Sequence, residues 1–394
     1  MMRKQLLNKC SDKKIYKITD KRHCTGCGAC ANACPVGCIV MTRDEEGFLY
    51  PSIDEKLCIS CGVCKKICRS SVSEPTEEYE VYALYNKDEE ARKKASSGGI
   101  FEVIAKEILK NNGIVFGVKM DGLKAIHTYI EKEEDLDLLI GSKYIQSNVG
   151  NTYKLVKRFL EQGKTVLYSG TPCQIQALYK ILGKEYENLY TVDFVCHGVS
   201  SPKIFEKYIQ EVLKTEDTIK SIRFRDKTEG WSNFSMYIES TEGVKYRKTM
   251  HDDVYLQSFL KNLNLRRSCF SCTCRTIHRV SDITLGDLWG CSEIYSDWSE
   301  EKGYSMAIIQ DLKGKQLFQE IKEQVIYRML EIDKVISYNQ SMVSSPWDEV
   351  SRDLFFRYVK KESLEKSIEK AKEEGLKKKV LRKWWKICRK MKVY

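Results

Sequence analysis

Between residues 79 and 214 the apolar positions alternate between a two-residue repeat and a repeat of roughly 3.6, which predicts strands and helices in turn. YEVYALYN (79–86) reads as a strand, and GGIFEVIAKEILKNNG (98–113) as a helix stopped at Asn-Gly. GIVFGVKM (113–120) is strand-like, NTYKLVKRFLEQG (151–163) helical, and KTVLYSG (164–170) strand-like. TPCQIQALYKILG (171–183) is a helix closed by glycine, and LYTVDFVCHG (189–198) a strand. SPKIFEKYIQEVLK (201–214) opens a helix with Ser-Pro in the cap and first positions. This alternation predicts an α/β domain with a largely parallel sheet. From residue 218 the strands follow one another directly (SIRFRDK, SNFSMYIES, GVKYRKTM), so an antiparallel-rich second part is expected.

Upstream the pattern is different. A polar leader occupies residues 1–18, a cysteine-dense segment 19–72 and an acidic, Pro-containing linker 73–80, ahead of the α/β domain at 81–345. Residues 346–394 form a helical, basic tail. At 42% hydrophobic the 394-residue chain matches a globular composition, and no apolar run reaches the roughly 20 residues of a membrane helix. The N-terminus is basic without an apolar core, so it does not read as a secretory signal, and a cytoplasmic protein is expected. The net charge of +11 is local: residues 375–394 hold nine Lys or Arg and no acid, leaving the body nearly neutral. A nucleic-acid groove is therefore not expected.

Seventeen cysteines in a reducing compartment point to metal or redox chemistry rather than disulfides. Cys24–Cys34 (CTGCGACANAC) and Cys58–Cys68 (CISCGVCKKIC) repeat one spacing, C-x2-C-x2-C-x3-C. Three cysteines so spaced wrap one [4Fe–4S] cubane while the fourth serves the other cluster. Cys24, Cys27 and Cys30 would thus join Cys68, and Cys58, Cys61 and Cys64 would join Cys34. Zinc knuckles need only Cys-x2-Cys pairs and leave the third and crossed fourth cysteines unexplained. The segment looks like a bacterial-type two-cluster ferredoxin, except that Arg69 stands where the second run usually has proline. Cys10 and Cys38 fit no ligand slot.

ASSGGIF (95–101), GSKYIQS (141–147), YSGTPCQIQAL (168–178), VCHGVSSP (195–202), SCFSC (268–272) and SDITLGDLWG (281–290) occur in order. These strings resemble the coenzyme F420 hydrogenase/dehydrogenase beta-subunit family, in its form fused to a ferredoxin. The resemblance implies an Fe–S flavoprotein with FAD in the α/β domain, a further cubane beside it, and hydride exchange with a diffusible partner. Ser96, Ser97, Gly98 and Gly99 precede a helix, where hydroxyls and bare backbone can cradle a pyrophosphate; the bland alternative is a plain cap and turn. Ser142, Lys143 and Gln146 are FAD contacts by family analogy. Cys173 and Cys196 sit at the carboxyl ends of strands, where ligands of open α/β sheets gather, and Cys269 and Cys272 add a C-x2-C pair. These four are the expected ligands of a third [4Fe–4S] cluster, with Cys274 as the competing choice and Cys291 unassigned.

Two decoys fall away. Gly163-Lys164-Thr165 precedes a strand and lacks the first P-loop glycine, and Cys196 and His197, as strand neighbours, face opposite ways. In the tail, Leu376, Val380, Trp384, Ile387, Cys388 and Met391 share one helical arc opposite a basic one. That arc suits either peripheral contact with an anionic membrane surface or packing on the protein itself. The expected protein is an oxidoreductase passing electrons between [4Fe–4S] clusters and FAD, for hydride transfer to a substrate or deazaflavin. An electron-relay subunit serving a small redox protein is the alternative. Catalytic acids and bases are not assigned, Asp287 of GDLWG being only a neighbour of the site.

Overall fold

The computed structural model describes residues 18–69, 78–213, 219–243, 245–299 and 301–390. Cys10 and most of the leader and linker lie outside the described residues. In the cysteine-dense segment, β1 (Ile39–Arg43) and β2 (Leu49–Ile53) pair antiparallel, Ile39 opposite Ile53. Short helices Ala29–Ala33 and Val63–Arg69 each carry the third cysteine of a run.

Residues 78 onward supply β3 (Glu80–Asn86), β4 (Ile114–Asp121), β5 (Lys124–Ile130), β6 (Val166–Ser169) and β7 (Leu189–Phe194). Then come β8 (Ile219–Asp226), β9 (Ser235–Ser240), β10 (Lys245–Thr249), β11 (Ile283–Asp287), β12 (Ser305–Ile309) and β13 (Val325–Met329). One eight-stranded sheet has the order β13-β3-β12-β11-β7-β6-β4-β5. Its centre, β4, β6, β7 and β11, is parallel, and antiparallel strands flank it on both sides. Both faces are covered, as a parallel sheet requires. Val115 and Leu167 face the helices Ile100–Lys110 and Leu312–Ile321, while Ile114, Phe116, Val166 and Tyr168 face Thr152–Glu161 and Pro172–Leu182. The two-residue period of each strand thus sorts neighbours into opposite cores.

The antiparallel part expected after residue 218 divides. β8, β9 and β10 form a separate three-stranded sheet, whereas β11, β12 and β13 return to complete the large one, making it mixed rather than largely parallel. A period of two identifies a strand but carries no information on which sheet receives it. β5, in KAIHTYI, is a strand absent from the periodicity reading. The tail becomes helices Glu349–Tyr358 and Leu364–Lys390. Leu364, Ile368 and Ala371 are buried against the core that holds Phe355. Side chains from residue 378 lie outside the described residues, and with them most of the expected basic arc. Among the described residues no helix is long and apolar enough to cross a membrane.

The cysteine-dense segment is docked, not merely tethered by a linker. Phe48 is fully buried in the core formed by Phe205, Tyr208 and Tyr255, with Phe356 at 6.1 Å between ring centroids. Arg352, also fully buried, holds Glu46 through both guanidinium nitrogens, and its Nε donates to Leu265 O at 2.9 Å. Asn32 Nδ2 donates to Gly150 O at 2.8 Å, and Arg43 pairs with Glu206 at 2.6 Å. Phe48→Ala removes a fully buried ring from this joint. Chemical denaturation should register a loss of about 3–5 kcal/mol, and an undiminished midpoint would show the joint to be dispensable.

Candidate functional site

In the cysteine-dense segment, burial, together with the thiols of Cys27, Cys24 and Cys68, pushes Cys30 up to about 12. Cys64 is likewise raised, by burial first and then by Cys61 and Cys34. Cys68 is thus near enough to act on Cys30, and Cys34 near enough to act on Cys64. Cys38, which fits no slot by spacing, places its sulfur 3.5 Å from that of Cys34. Cys24, Cys30 and Cys34 are buried, while Cys61 is the one exposed cysteine among the described residues. No three His, Cys, Asp or Glu among the described residues converge as one metal ion requires. A cubane asks for a wider set, because each sulfur binds a different iron at a different corner.

The distant cysteines also come together. Cys173, Cys196, Cys269, Cys272 and Cys274 line one chamber of about 40 Å³, beside Arg275 and Arg279. Cys173 is the second residue of the helix Pro172–Leu182, whose start is closed by a reciprocal Thr171–Gln174 cap. Cys196 follows β7, and Cys269 lies in the short turn Arg267–Ser271. A hydrogen bond from Cys274 pulls Cys272 down to about 6 and raises Cys274 in turn. Burial pushes Cys173, Cys196 and Cys269 upward. Arg275 Nη2 donates to His197 O at 2.7 Å and Arg279 pairs with Asp193 at 3.4 Å, so two cationic groups stand beside the cysteines. Four cysteines from three elements with arginines behind them fit the donor set and charge of an anionic cubane. Cys291 is fully buried in another core, beside Leu288 and Met306.

Thr25 and Gly26, in the loop that follows Cys24, line the same chamber. Tyr153 Oη reaches Cys27 O at 3.0 Å and Gln174 O at 3.1 Å, tying that loop to the helix of Cys173.

Across the chamber wall is a cleft of about 390 Å³, within the range of cofactor sites. It opens at the carboxyl ends of β6, β7 and β11, where open α/β sheets bind ligands. Ser147, Thr171, Gln174, Cys196, Gly198 and Val199 line both spaces. Ser96, Ser97, Gly99, Ser142 and Lys143 line the cleft. Ser96 Oγ accepts from Ser142 N at 2.7 Å, and Gly99, at φ 82°, starts the helix Ile100–Lys110 without a side-chain cap. Backbone donors at that helix start remain available to an anion. Lys143 Nζ donates to Leu139 O at 2.8 Å and Ile140 O at 2.9 Å. Lys143 is partly buried, and desolvation lowers its ammonium to about 7.

Two expected contacts are placed elsewhere. Gly98 packs against the sheet: its N donates to Ser305 Oγ at 3.0 Å, and a Cβ would meet Leu84 O at 2.8 Å. Gln146 lines the cysteine chamber instead, accepting from Leu49 N at 2.9 Å and facing Gly26. Asp287 is the partner of Arg225, whose Nη1 reaches its two oxygens at 2.8 and 2.7 Å. Arg225 itself, buried in the cleft wall with Nε and Nη2 unpartnered, is absent from the sequence reading. Its only signal is a charge inside SIRFRDK, which looks the same as the exposed Arg223 two positions earlier.

Residues 163–335 match the family model for the C-terminal part of the coenzyme F420 hydrogenase/dehydrogenase beta subunit, and residues 23–72 match a 4Fe-4S dicluster domain. The chain thus carries the C-terminal domain of the coenzyme F420 hydrogenase/dehydrogenase beta subunit behind an N-terminal 4Fe-4S dicluster domain. A coenzyme F420-dependent sulfite reductase of Methanocaldococcus jannaschii is 26% identical over 336 residues, 82% of this chain and 50% of that protein. An uncharacterized ferredoxin of the same organism is 46% identical over 33 residues, 8% of this chain and 43% of that one. The chain spans about half the length of the curated relatives it matches. A solved chain of the F420-reducing [NiFe] hydrogenase complex of Methanosarcina barkeri aligns at TM-score 0.44 and 16% identity, over 77% of this chain and 92% of that chain.

The crossed pairing has a direct test. Cys34→Ala and Cys58→Ala should abolish the same electron paramagnetic resonance signal and each lower iron by about 4 per chain. Should Cys34→Ala instead abolish the signal lost in Cys24→Ala, the pairing is not crossed.

Proposed function

We propose that the chain is an Fe–S flavoprotein oxidoreductase: [4Fe–4S] clusters in the dicluster domain, a third in the cysteine chamber and FAD in the cleft. The observation that carries this reading is the shared wall. Gly198, Val199 and the thiol of Cys196 border both chamber and cleft. A bound flavin supplies the junction between one-electron carriers and a two-electron hydride step with a deazaflavin or another small substrate. The chain's own residues have the remaining tasks. Ser96, Ser142 and the helix start at Gly99 receive phosphate oxygens, and Lys143 adds charge there. Arg225 offers its unpartnered edge to a polar or anionic group against Trp289 and Phe234, over whose rings its guanidinium lies at 5.3 and 4.7 Å.

A small redox protein as the electron donor or acceptor is supported by the exposed Cys61. Val36, Leu57, Ile59 and Val63 stand exposed around the second cysteine set. The closed set of Cys24, by contrast, faces inward.

Anaerobic purification with iron, sulfide and flavin measured per chain tests the composition. Three clusters give about 12 irons and two give about 8. With one FAD and about 12 irons, reduction of F420 by the single chain and a low-potential reductant should then be sought. A folded chain with about 8 irons and no flavin ends the reading.

Lys143 adds a pH test. Burial holds it at about 7 against an ordinary 10.5, so its charged form costs stability fully below about 7, and that cost vanishes as pH rises toward 10.5. A phosphate bound beside it restores the charge, so binding takes up a proton between those limits. FAD affinity should be flat below about pH 7 and weaken by up to tenfold per pH unit above it. Lys143→Met should flatten the profile, and a pH-dependent Lys143→Met protein would remove Lys143 from the phosphate site.

A further inference from the structure

Arg266 is completely buried, yet among the described residues no carboxylate pairs with it. Its Nε donates to Cys24 O at 2.7 Å and its Nη2 to Cys24 Sγ at 3.5 Å. The guanidinium lies 4.0 Å over the ring of Tyr50, and Nη1 has no hydrogen-bond partner. The approach is tight: a Cβ on Gly26 would come within 2.9 Å of Nη1. A buried cation without an anion is strongly unfavourable, so a missing counter-charge is implied at this spot. The adjacent group able to provide it is the cysteine set of Cys24, Cys27, Cys30 and Cys68.

We propose that Arg266 is the positioning residue that sets the redox potential of the cluster held by Cys24, raising it above what burial alone would give. The inference rests on the reading that these four cysteines hold a cubane. Each electron added to such a cluster deepens its negative charge, so a fixed cation and a hydrogen bond to sulfur favour the reduced form. Docking alone would need only the bond to Cys24 O; the second donor, aimed at the sulfur, acts on the metal site. The same segment leads to the chamber: three residues on, Cys269 N donates to Arg266 O at 3.0 Å. One turn of chain thus touches both cysteine sets. A hydrogen bond to a ligand sulfur is one of the recognised levers on cluster potential.

The test uses the full-length, anaerobically loaded protein, with redox titration followed by electron paramagnetic resonance and iron counted per chain. Cys24→Ser identifies the signal of the cluster beside Arg266. In Arg266→Gln that midpoint should move to a more negative value while the other clusters keep theirs. Arg266→Lys keeps the charge but cannot present two parallel donors, and its midpoint should fall between wild type and Arg266→Gln. Equal displacement of every cluster would reduce Arg266 to a docking role and overturn the proposal. So would identical midpoints in wild type and Arg266→Lys, with Arg266→Gln either identical or unable to hold its iron. Cluster signals in Cys24→Ser identical to those of wild type would instead remove the underlying cubane assignment, an outcome separable from the first two.

Discussion

Everything in this molecule depends on holding the loop of Cys24–Cys30 against the carboxyl ends of the parallel strands. That contact cannot be supplied by apolar burial alone, because the loop presents backbone carbonyls that need partners. Three side chains of the α/β body meet them or their neighbours: Arg266 at Cys24 O, Tyr153 at Cys27 O and Gln146 at Leu49 N. Each of these three also borders the cysteine chamber or the segments that build it. Removing the dicluster domain would therefore take a partner from a cation, a phenol and an amide at once, although Tyr153 would keep its bond to Gln174 O. In the proposed function this joint serves docking and electron transfer with the same atoms, and a swinging ferredoxin on a flexible linker does not describe it.

The second organising feature is positive charge turned inward. Arg225, Arg266 and Arg279 are each less than a tenth exposed, and Arg275 retains an unpartnered Nε. Of these, Arg225 and Arg279 have carboxylate partners, Asp287 and Asp193, whereas Arg266 has a cysteine. Orphaned buried donors are uncommon in folded proteins and call for an explanation at each site. In the proposed function that explanation is uniform: thiolate-bound clusters and a flavin are anionic or become so on reduction. The net charge of the whole chain says nothing of this, since its excess is concentrated in the last twenty residues.

What was legible in the sequence divides along a physical line. The dicluster character of the two cysteine runs could be read directly, because it is encoded in local spacing. Cys173, Cys196, Cys269 and Cys272 could be brought together only through strand-end logic and a family resemblance, their sequence separations being long. The strands were readable from period two, but the return of β11–β13 to the large sheet was not, because pairing is a tertiary choice. Gly98 and Gln146 show the opposite failure. Each lies in a string characteristic of the family, and each has a packing or docking task that the string does not distinguish from ligand contact. Arg225 and Arg266 left no signal, since an arginine in a strand or loop is normally solvated.

The order of exposure then sets a direction through the molecule. Cys61 is open to solvent, Cys24 and Cys30 are buried, the chamber is lined by partly buried cysteines, and the cleft opens beyond Cys196. Two accessible ends separated by a more buried middle suit the relay of the proposed function, since partners of different size can meet different ends. A protein can approach Cys61 but cannot reach the cleft floor, whereas a small planar molecule can enter the cleft. Burial around Cys24 also strengthens charge interactions there, because protein surroundings screen less than water. A single guanidinium at Cys24 can therefore matter more than the many exposed lysines of the surface, and in the proposed function the tight fit of Gly26 against it serves the cluster as well as the packing.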